Sequence, residues 1–368
     1  MTAISMFKPY VSERAIGRVS QVLRSGWVGE GPVVKEFEHR FGALVSARYA
    51  AAVNSGTSAL HLAILVAGVK PGDEIITTAQ TMLASTQAIL AAGAKPVYAD
   101  VQYSCGNIDP QDINRRITPR TRAILAVDWG GYPCDYDEIL AIAKLYGLSV
   151  IEDAAHALGA TYKGLPVGAV CPYTCFSFQA IKHLTTGDGG LLCMPNADDY
   201  QKAVRLRWFG IDRFRRQASI LGEPIWNVTE LGYKYQMNDV AAAIGLGNME
   251  DWEFILARRK QIVGTYRDAL SSVPGLVLFE RKSDRTSADW LFSIHIERRE
   301  DFCRALSAKG VPASVVHLRI DRNDLCGGER SDLPILTRFT ETHVSLPLHP
   351  LLTDDQVRYV IKCVQEGW

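Results

Sequence analysis

From residue 49 to 193 short β-rich apolar runs alternate with segments whose apolar positions recur every three or four residues, a pattern that predicts strands separated by amphipathic helices. The strands fall at 49–53, 74–78, 95–101, 121–127, 149–153, 174–178 and 190–194, and the helices between the first five at 57–67, 82–92, 109–117 and 135–146. Such alternation builds a mostly parallel seven-stranded sheet with helices on both faces. The last two strands are too close in sequence for a crossover helix, so an antiparallel member is expected. Beyond Gly190 the periods lengthen, with a helix at 197–208 and a second from Asp239 to about residue 271 that no proline interrupts. A new unit opens at 273–279, followed by a strand at 290–296, a helix at 299–309 and a closing helix from Asp354. The expected class is α/β, with a large domain over residues 1–250 and a smaller C-terminal α+β domain over 251–368, the boundary lying inside the long helix.

At 368 residues the chain is long for one hydrophobic core, which agrees with two units. Its 40 basic and 40 acidic side chains balance, so charge gives no argument for nucleic acid or an anionic membrane as partner. No apolar run approaches the ~20 residues that cross a bilayer, and the N-terminus lacks a charged segment leading into a long apolar stretch. A cytoplasmic location is expected. The eight cysteines, at 105, 134, 171, 175, 193, 303, 326 and 363, lack paired C-x-x-C spacing, and no metal site is expected.

Three places carry candidate chemistry. Asn54-Ser-Gly-Thr-Ser-Ala-Leu60 joins a strand to a helix through small residues, and the amides of such a helix start point outward at a position where phosphate can sit; an ordinary N-cap is the alternative. Asp153 ends the apolar run 148–151, at the edge of the sheet where ligands bind in open α/β folds, although it also suits a helix cap. Lys182 lies between the β-like 173–178 and the glycine-rich Thr185-Thr-Gly-Asp-Gly-Gly190, whose glycines let the backbone turn tightly beside a ligand. An amine that forms a Schiff base and an acid that pairs a pyridinium nitrogen are what pyridoxal phosphate (PLP) chemistry requires. Ser177, five residues before Lys182, offers a hydroxyl to a phosphate or to its own strand.

In this order the pieces resemble the DegT/DnrJ/EryC1/StrS family of PLP-dependent sugar aminotransferases, within the fold-type I (aspartate aminotransferase-like) enzymes. The resemblance extends over nearly the whole chain, through Ser25-Gly-Trp-Val-Gly-Glu-Gly-Pro32, Gly93-Ala-Lys-Pro96, Ile151-Glu-Asp-Ala-Ala-His156, Glu230-Leu-Gly-Tyr-Lys-Tyr-Gln-Met-Asn-Asp239 and Ser345-Leu-Pro-Leu-His-Pro350 besides the segments above. It implies that Lys182 forms the Schiff base to PLP, that Asp153 pairs the ring nitrogen, and that His156 stands near the phenolic oxygen. Gly56, Thr57 and Ser177 would hold the phosphate. Met82 falls where many relatives place an aromatic ring against the cofactor, so a thioether contact replaces stacking. Lys234 occupies a position often filled by Asn, from which it would reach the phosphate of a neighbouring subunit, or else it is a solvated surface charge.

The implied reaction moves an amino group from glutamate to a keto sugar, usually nucleotide-activated in this family, and yields an amino deoxy sugar for glycan (including lipopolysaccharide), antigen or secondary-metabolite biosynthesis. A homodimer with shared sites is implied. Arg207, Trp208 and Arg213 are candidates for contact with a nucleotide, pyrophosphate or donor carboxylate. In His317-Leu-Arg-Ile-Asp-Arg-Asn-Asp324 the chain departs from the His-Tyr-Pro-type segment of many relatives, which makes His317 and Arg319 candidates for substrate contact. His349 is read as fixing a turn. A sugar dehydratase of the same fold would carry His in place of Lys182. A non-catalytic regulatory relative would need neither Lys182 nor Asp153, and a nicotinamide enzyme would show Gly-x-Gly-x-x-Gly in the first turn.

Overall fold

The computed structural model describes residues 3–213 and 217–368. Its central sheet has seven strands, β1 (Tyr49–Val53), β2 (Glu74–Thr78), β3 (Lys95–Ala99), β4 (Thr121–Val127), β5 (Ser149–Asp153), β6 (Tyr173–Ser177) and β7 (Gly190–Met194), in the spatial order β1-β7-β6-β5-β4-β2-β3. β7 runs antiparallel to β1 and β6, and the other pairings are parallel. The expected α/β class, with its one reversed strand, is the fold the chain adopts.

Side chains alternate between the two faces of a strand, and the helices divide accordingly. Ala51, Leu125, Ile151 and Leu192 pack against α3 (Gly56–Val66), α4 (Leu83–Ala91) and α7 (Ala197–Leu206). On the other face, Ala52, Phe176 and Leu191 meet α2 (Pro32–Leu44) and α8 (Asp239–Met249), while Ile124, Ala126 and Val150 meet α5 (Pro110–Arg115) and α6 (Tyr136–Tyr146). Asp153 therefore shares the face of Ile151, and Glu152 the face of Val150. The pattern assigned no element before residue 49, where α1 (Glu13–Ser25) lies so close to α8 that a Cβ on Gly247 would stand 2.3 Å from Ala15 Cα.

The long helix expected from Asp239 onward is broken into α8 and α9 (Trp252–Leu270). Asp251 leaves helical geometry at φ −107° and ψ 16°, and its carboxylate accepts from Tyr10 Oη (2.8 Å) and Arg14 (3.2 Å). The Asn248 side chain accepts from Ser12 N–H (2.9 Å) and donates to Thr185 O (3.0 Å). These tertiary bonds hold a turn that no proline marks, just after a stretch weakened as a helix by Gly245, Gly247 and Asn248.

A second core follows. The antiparallel strands β8 (Leu276–Leu278), β9 (Phe292–Ile296) and β10 (His343–Leu346) pack with α9, α10 (Arg299–Ala308) and, beyond α11 (Pro334–Thr342), α12 (Asp354–Gln365). Ile4 also packs into this core and Leu348 N–H donates to Met6 O (3.3 Å), so residues 4–6 sit on the C-terminal unit. Among the described residues no helix is long and apolar enough to cross a membrane, and no group of three or more His, Cys, Asp or Glu is arranged to hold a metal.

Candidate active site

The C-terminal ends of β4, β5 and β6 open into a cavity of about 320 Å³, the position that parallel α/β topology reserves for ligands. Asp153 enters it from the last residue of β5, buried, with Oδ2 accepting from Ser85 Oγ (2.8 Å) and Oδ1 from Ala155 N–H (3.2 Å). Burial raises its pKa, and Ser85, the Ala155 amide and the Lys182 charge oppose the rise.

Lys182 reaches the same cavity from the loop after β6. That loop is tied back on itself by Lys182 N–H to Gln179 O (2.9 Å), Thr186 N–H to Phe178 O (3.0 Å) and Phe178 N–H to Gly189 O (2.8 Å). The half-buried amine sits 3.9 Å from the centroid of the Trp290 ring. Desolvation draws its pKa from 10.5 down to about 7, against the pull of the Asp153 carboxylate, so a neutral nucleophilic amine is present near neutral pH.

His156 is buried and stacked on Trp290, centroids 3.7 Å apart with 14° between the planes. Burial, then the nearby Lys182, holds its pKa well below 6.5, and Nδ1 has no partner among the described residues. His317, half-buried in the cavity wall, lies parallel to His156 at 6.2 Å and is drawn down to about 4 mainly by desolvation. The preceding Val316 has φ +62°, a strained setting for a β-branched residue, in the turn that delivers His317 to the cavity.

The other wall is the start of α3. Ser55 caps the helix by accepting from Ser58 N–H (3.1 Å), which leaves the first-turn amides of Gly56 and Thr57 without helical partners. A Cβ on Gly56 would lie 2.9 Å from Ser177 Cβ, and one on Gly190 would lie 2.3 Å from Ser55 O, so this approach of loop, strand and helix needs glycine at both positions. Gly56, Thr57 and Ser177 all line the cavity. Met82 lines it as well, half-exposed, with its sulfur accepting from Ala84 N–H (3.1 Å) at the start of α4.

Four expected residues, Arg319, Arg213, Lys234 and Arg207, stand elsewhere. Arg319 is fully buried and pairs bidentately with Asp321 (2.7 and 2.6 Å), with Nη1 on Thr337 Oγ1 (2.8 Å); its guanidinium is used up inside the protein, which corrects its reading as a substrate contact. Arg213 is exposed, bonded to Glu30 (2.8 Å) and placed over the Trp208 ring at 5.0 Å, outside the cavity of its own chain. Lys234 is also exposed and packs on the Trp208 ring, 3.3 Å from its centroid. Arg207 is a buried node joining Glu38 (2.6 Å) and Glu30 (2.8 Å), and His349 meets Ser5 at 3.4 Å.

Ser85, Thr81 and Trp290 were not anticipated. Thr81 bonds Ser85 (2.8 Å), which bonds Asp153, a hydroxyl chain hinted at only by the polar run after β2. Trp290 falls in a segment that reads as strand, yet β9 begins at Phe292, and only the fold brings the indole beneath Lys182. The set fits PLP: a desolvated amine, a carboxylate held by two donors, an unpartnered histidine nitrogen and a helix start kept clear of side chains converge on one cavity.

A model of the DegT/DnrJ/EryC1/StrS aminotransferase family matches residues 9–365. The chain is 36% identical to the spore coat polysaccharide biosynthesis protein SpsC of Bacillus subtilis over 97% of its own length and 95% of SpsC. It superposes on the sugar aminotransferase CalS13 of Micromonospora echinospora with a TM-score of 0.94 at 35% identity, covering 99% of this chain and 100% of CalS13. The PLP form of Spr1654 from Streptococcus pneumoniae superposes with a TM-score of 0.91 at 28% identity, covering 99% and 98%.

Proposed function

The chain belongs to the DegT/DnrJ/EryC1/StrS aminotransferase family and is a PLP-dependent sugar aminotransferase, and from that premise we propose that it carries the amino group of glutamate to the keto carbon of a nucleotide-activated sugar. The products are 2-oxoglutarate and an amino deoxy sugar for a glycan, antigen or secondary metabolite. Bound PLP supplies the electron sink and carries the amino group between the two substrates.

The rest of the chemistry falls to the chain. Lys182 would hold the cofactor through its side-chain nitrogen, and its amine, kept neutral near pH 7 by desolvation, would be the group that moves a proton at the reacting carbon. Asp153 would pair the ring nitrogen, and His156, whose Nδ1 is unpartnered among the described residues, would stand near the phenolic oxygen. Gly56 and Thr57 amides and the Ser177 hydroxyl take the phosphate. His317 contacts the sugar or the donor. A homodimer completes the site, with Lys234 and Arg213 serving the partner's cavity; exposed Ile220, Leu221 and Leu231 around the 217–225 hairpin support such an interface. Retention of Lys182 favours transamination over dehydration.

The observation that carries this reading is the convergence of a desolvated lysine and a buried carboxylate on one cavity beside a helix start. PLP-loaded protein should lose its visible band on addition of glutamate and release 2-oxoglutarate, and its aminated form should convert a keto sugar from a panel of nucleotide-linked and free sugars, read by mass. Lys182→Ala should fold and show no steady turnover. Undiminished turnover in that variant, or no response to glutamate, refutes the proposal.

A further inference from the structure

Beneath Asp153, on the opposite face of the sheet, lie two carboxyl groups that the reaction does not use. Asp128 follows β4 directly, and Glu152 is the penultimate residue of β5; both are fully buried at 0% exposure. Asp128 Oδ1 accepts from Tyr136 Oη (2.7 Å) and Cys134 N–H (2.9 Å), and Glu152 Oε2 accepts from Thr174 Oγ1 (2.7 Å). The remaining oxygens, Asp128 Oδ2 and Glu152 Oε1, have no donor among the described residues, yet the two side chains meet within hydrogen-bonding reach. Neither carboxyl is ion-paired or bonded to a lysine, arginine or histidine among the described residues. The neutral groups near them on this face are Tyr136 of α6, Thr174 of β6, and Cys134, Cys171 and Cys193.

Two ionised carboxylates cannot face one another at this distance in a site without cations. We infer that Asp128 and Glu152 share one proton, with Glu152 as the acid donating to an ionised Asp128, and that the pair is a positioning device for Asp153. The division of roles follows the donors: two reach Asp128, which suits the anion, and one hydroxyl reaches Glu152. Burial and the neighbouring Asp128 push Glu152 well above 4.5, and burial lifts Asp128 to about 6, in keeping with that order. The shared proton ties residue 128 to residue 152 across β4 and β5, one register step from the Val127–Asp153 pairing, while Asp128 N–H donates to Asp153 O (3.2 Å). Asp153 is thus held from behind by the pair and in front by Ser85. Its neighbour in sequence is neutral, which removes a charge that would oppose ionisation of Asp153.

The positioning role rests on the assignment of Asp153 above; the shared proton does not. The test uses the PLP-free protein. Infrared difference spectra of wild type against Glu152→Gln at neutral pH should show a protonated carboxyl stretch present only in wild type. The amide keeps both hydrogen bonds, so the variant should fold and bind PLP as wild type does. A group whose folded pKa exceeds its unfolded value takes up a proton on folding, so the contribution of Glu152 to stability, full below about pH 4.5, is lost as pH rises towards its folded pKa. The ratio of wild-type to variant unfolding constants should therefore change with pH above about 4.5, by up to about ten-fold per pH unit. Asp128→Asn, whose amide can also donate across the pair, provides a second variant for the same spectrum. Absence of the carboxyl band in wild type, or parallel pH profiles of wild type and variant, overturns the inference. A band that is present while glutamate fails to react would sustain the pair and refute the proposed function instead.

Discussion

Replacing Lys182 by methionine tests the electrostatics of the site with no substrate present. A fall of the amine's pKa from 10.5 to about 7 places the folded, charged form about 5 kcal/mol uphill at 1.36 kcal/mol per pH unit. Lys182 is half-buried and faces an open cavity, and solvent at that wall reduces the figure to about 2–3 kcal/mol. Between pH 7 and 10.5 the unfolded chain holds the proton and the folded chain does not, so wild-type stability rises with pH through that window. Methionine has similar length and no charge. Lys182→Met without PLP is therefore expected to be more stable than wild type by about 2–3 kcal/mol at pH 7, with the gap closing towards pH 10.5. Asp153, which Lys182 helps to ionise, protonates more readily in the variant, an effect confined to the acid side of the window. Urea unfolding of both PLP-free proteins at one fixed protein concentration, from about pH 6 to 10, measures the difference. Equal midpoints at every pH, or a gap that widens as pH rises, would refute the assignment of a desolvated amine at 182.

Asp153→Asn should slow the glutamate half-reaction at least about 100-fold, some 2.7 kcal/mol, with the fold intact; stopped-flow absorbance decides, and an unchanged rate removes the ring-nitrogen role. Ser85→Ala deletes a hydrogen bond to a charged acceptor worth about 1.5–3 kcal/mol. Because Ser85 holds the Asp153 pKa down, the acid limb of the half-reaction's pH profile should move to higher pH in this variant, and a profile that stays in place would contradict the contact. Arg319→Leu strands Asp321 and should destabilise the fold by about 3–5 kcal/mol while leaving the sugar KM of the remaining folded enzyme unchanged; a raised KM at wild-type stability would restore Arg319 as a substrate contact.

What the sequence disclosed and what it withheld divide along one line, the range of the interactions involved. Strands β1 to β7 were legible to within a residue or two because alternation and apolar runs are local signals set by one sheet and its two helical layers. Lys182, Asp153 and the helix start at Gly56 were legible because each sits at a junction of elements marked by its own turn chemistry. The break between α8 and α9 was not, since no proline marks it and Gly245, Gly247 and Asn248 only weaken a helix locally, whereas the turn is held by Ser12, Tyr10 and Arg14 from the other end of the chain. Arg319 misled for a related reason: the departure of its segment from the family pattern reads as a substrate contact, and only packing beside Asp321 and Thr337 of α11 shows the guanidinium used up inside the protein. Glu152 and Asp128 are the sharpest instance. Period-two geometry alone sends Glu152 away from Asp153, but the absence of a cation beside it, and hence its stored proton, depends on what α6 and β6 place around it. Residues that make the chemistry are thus readable from local grammar, whereas those that hold them in place belong to the tertiary structure.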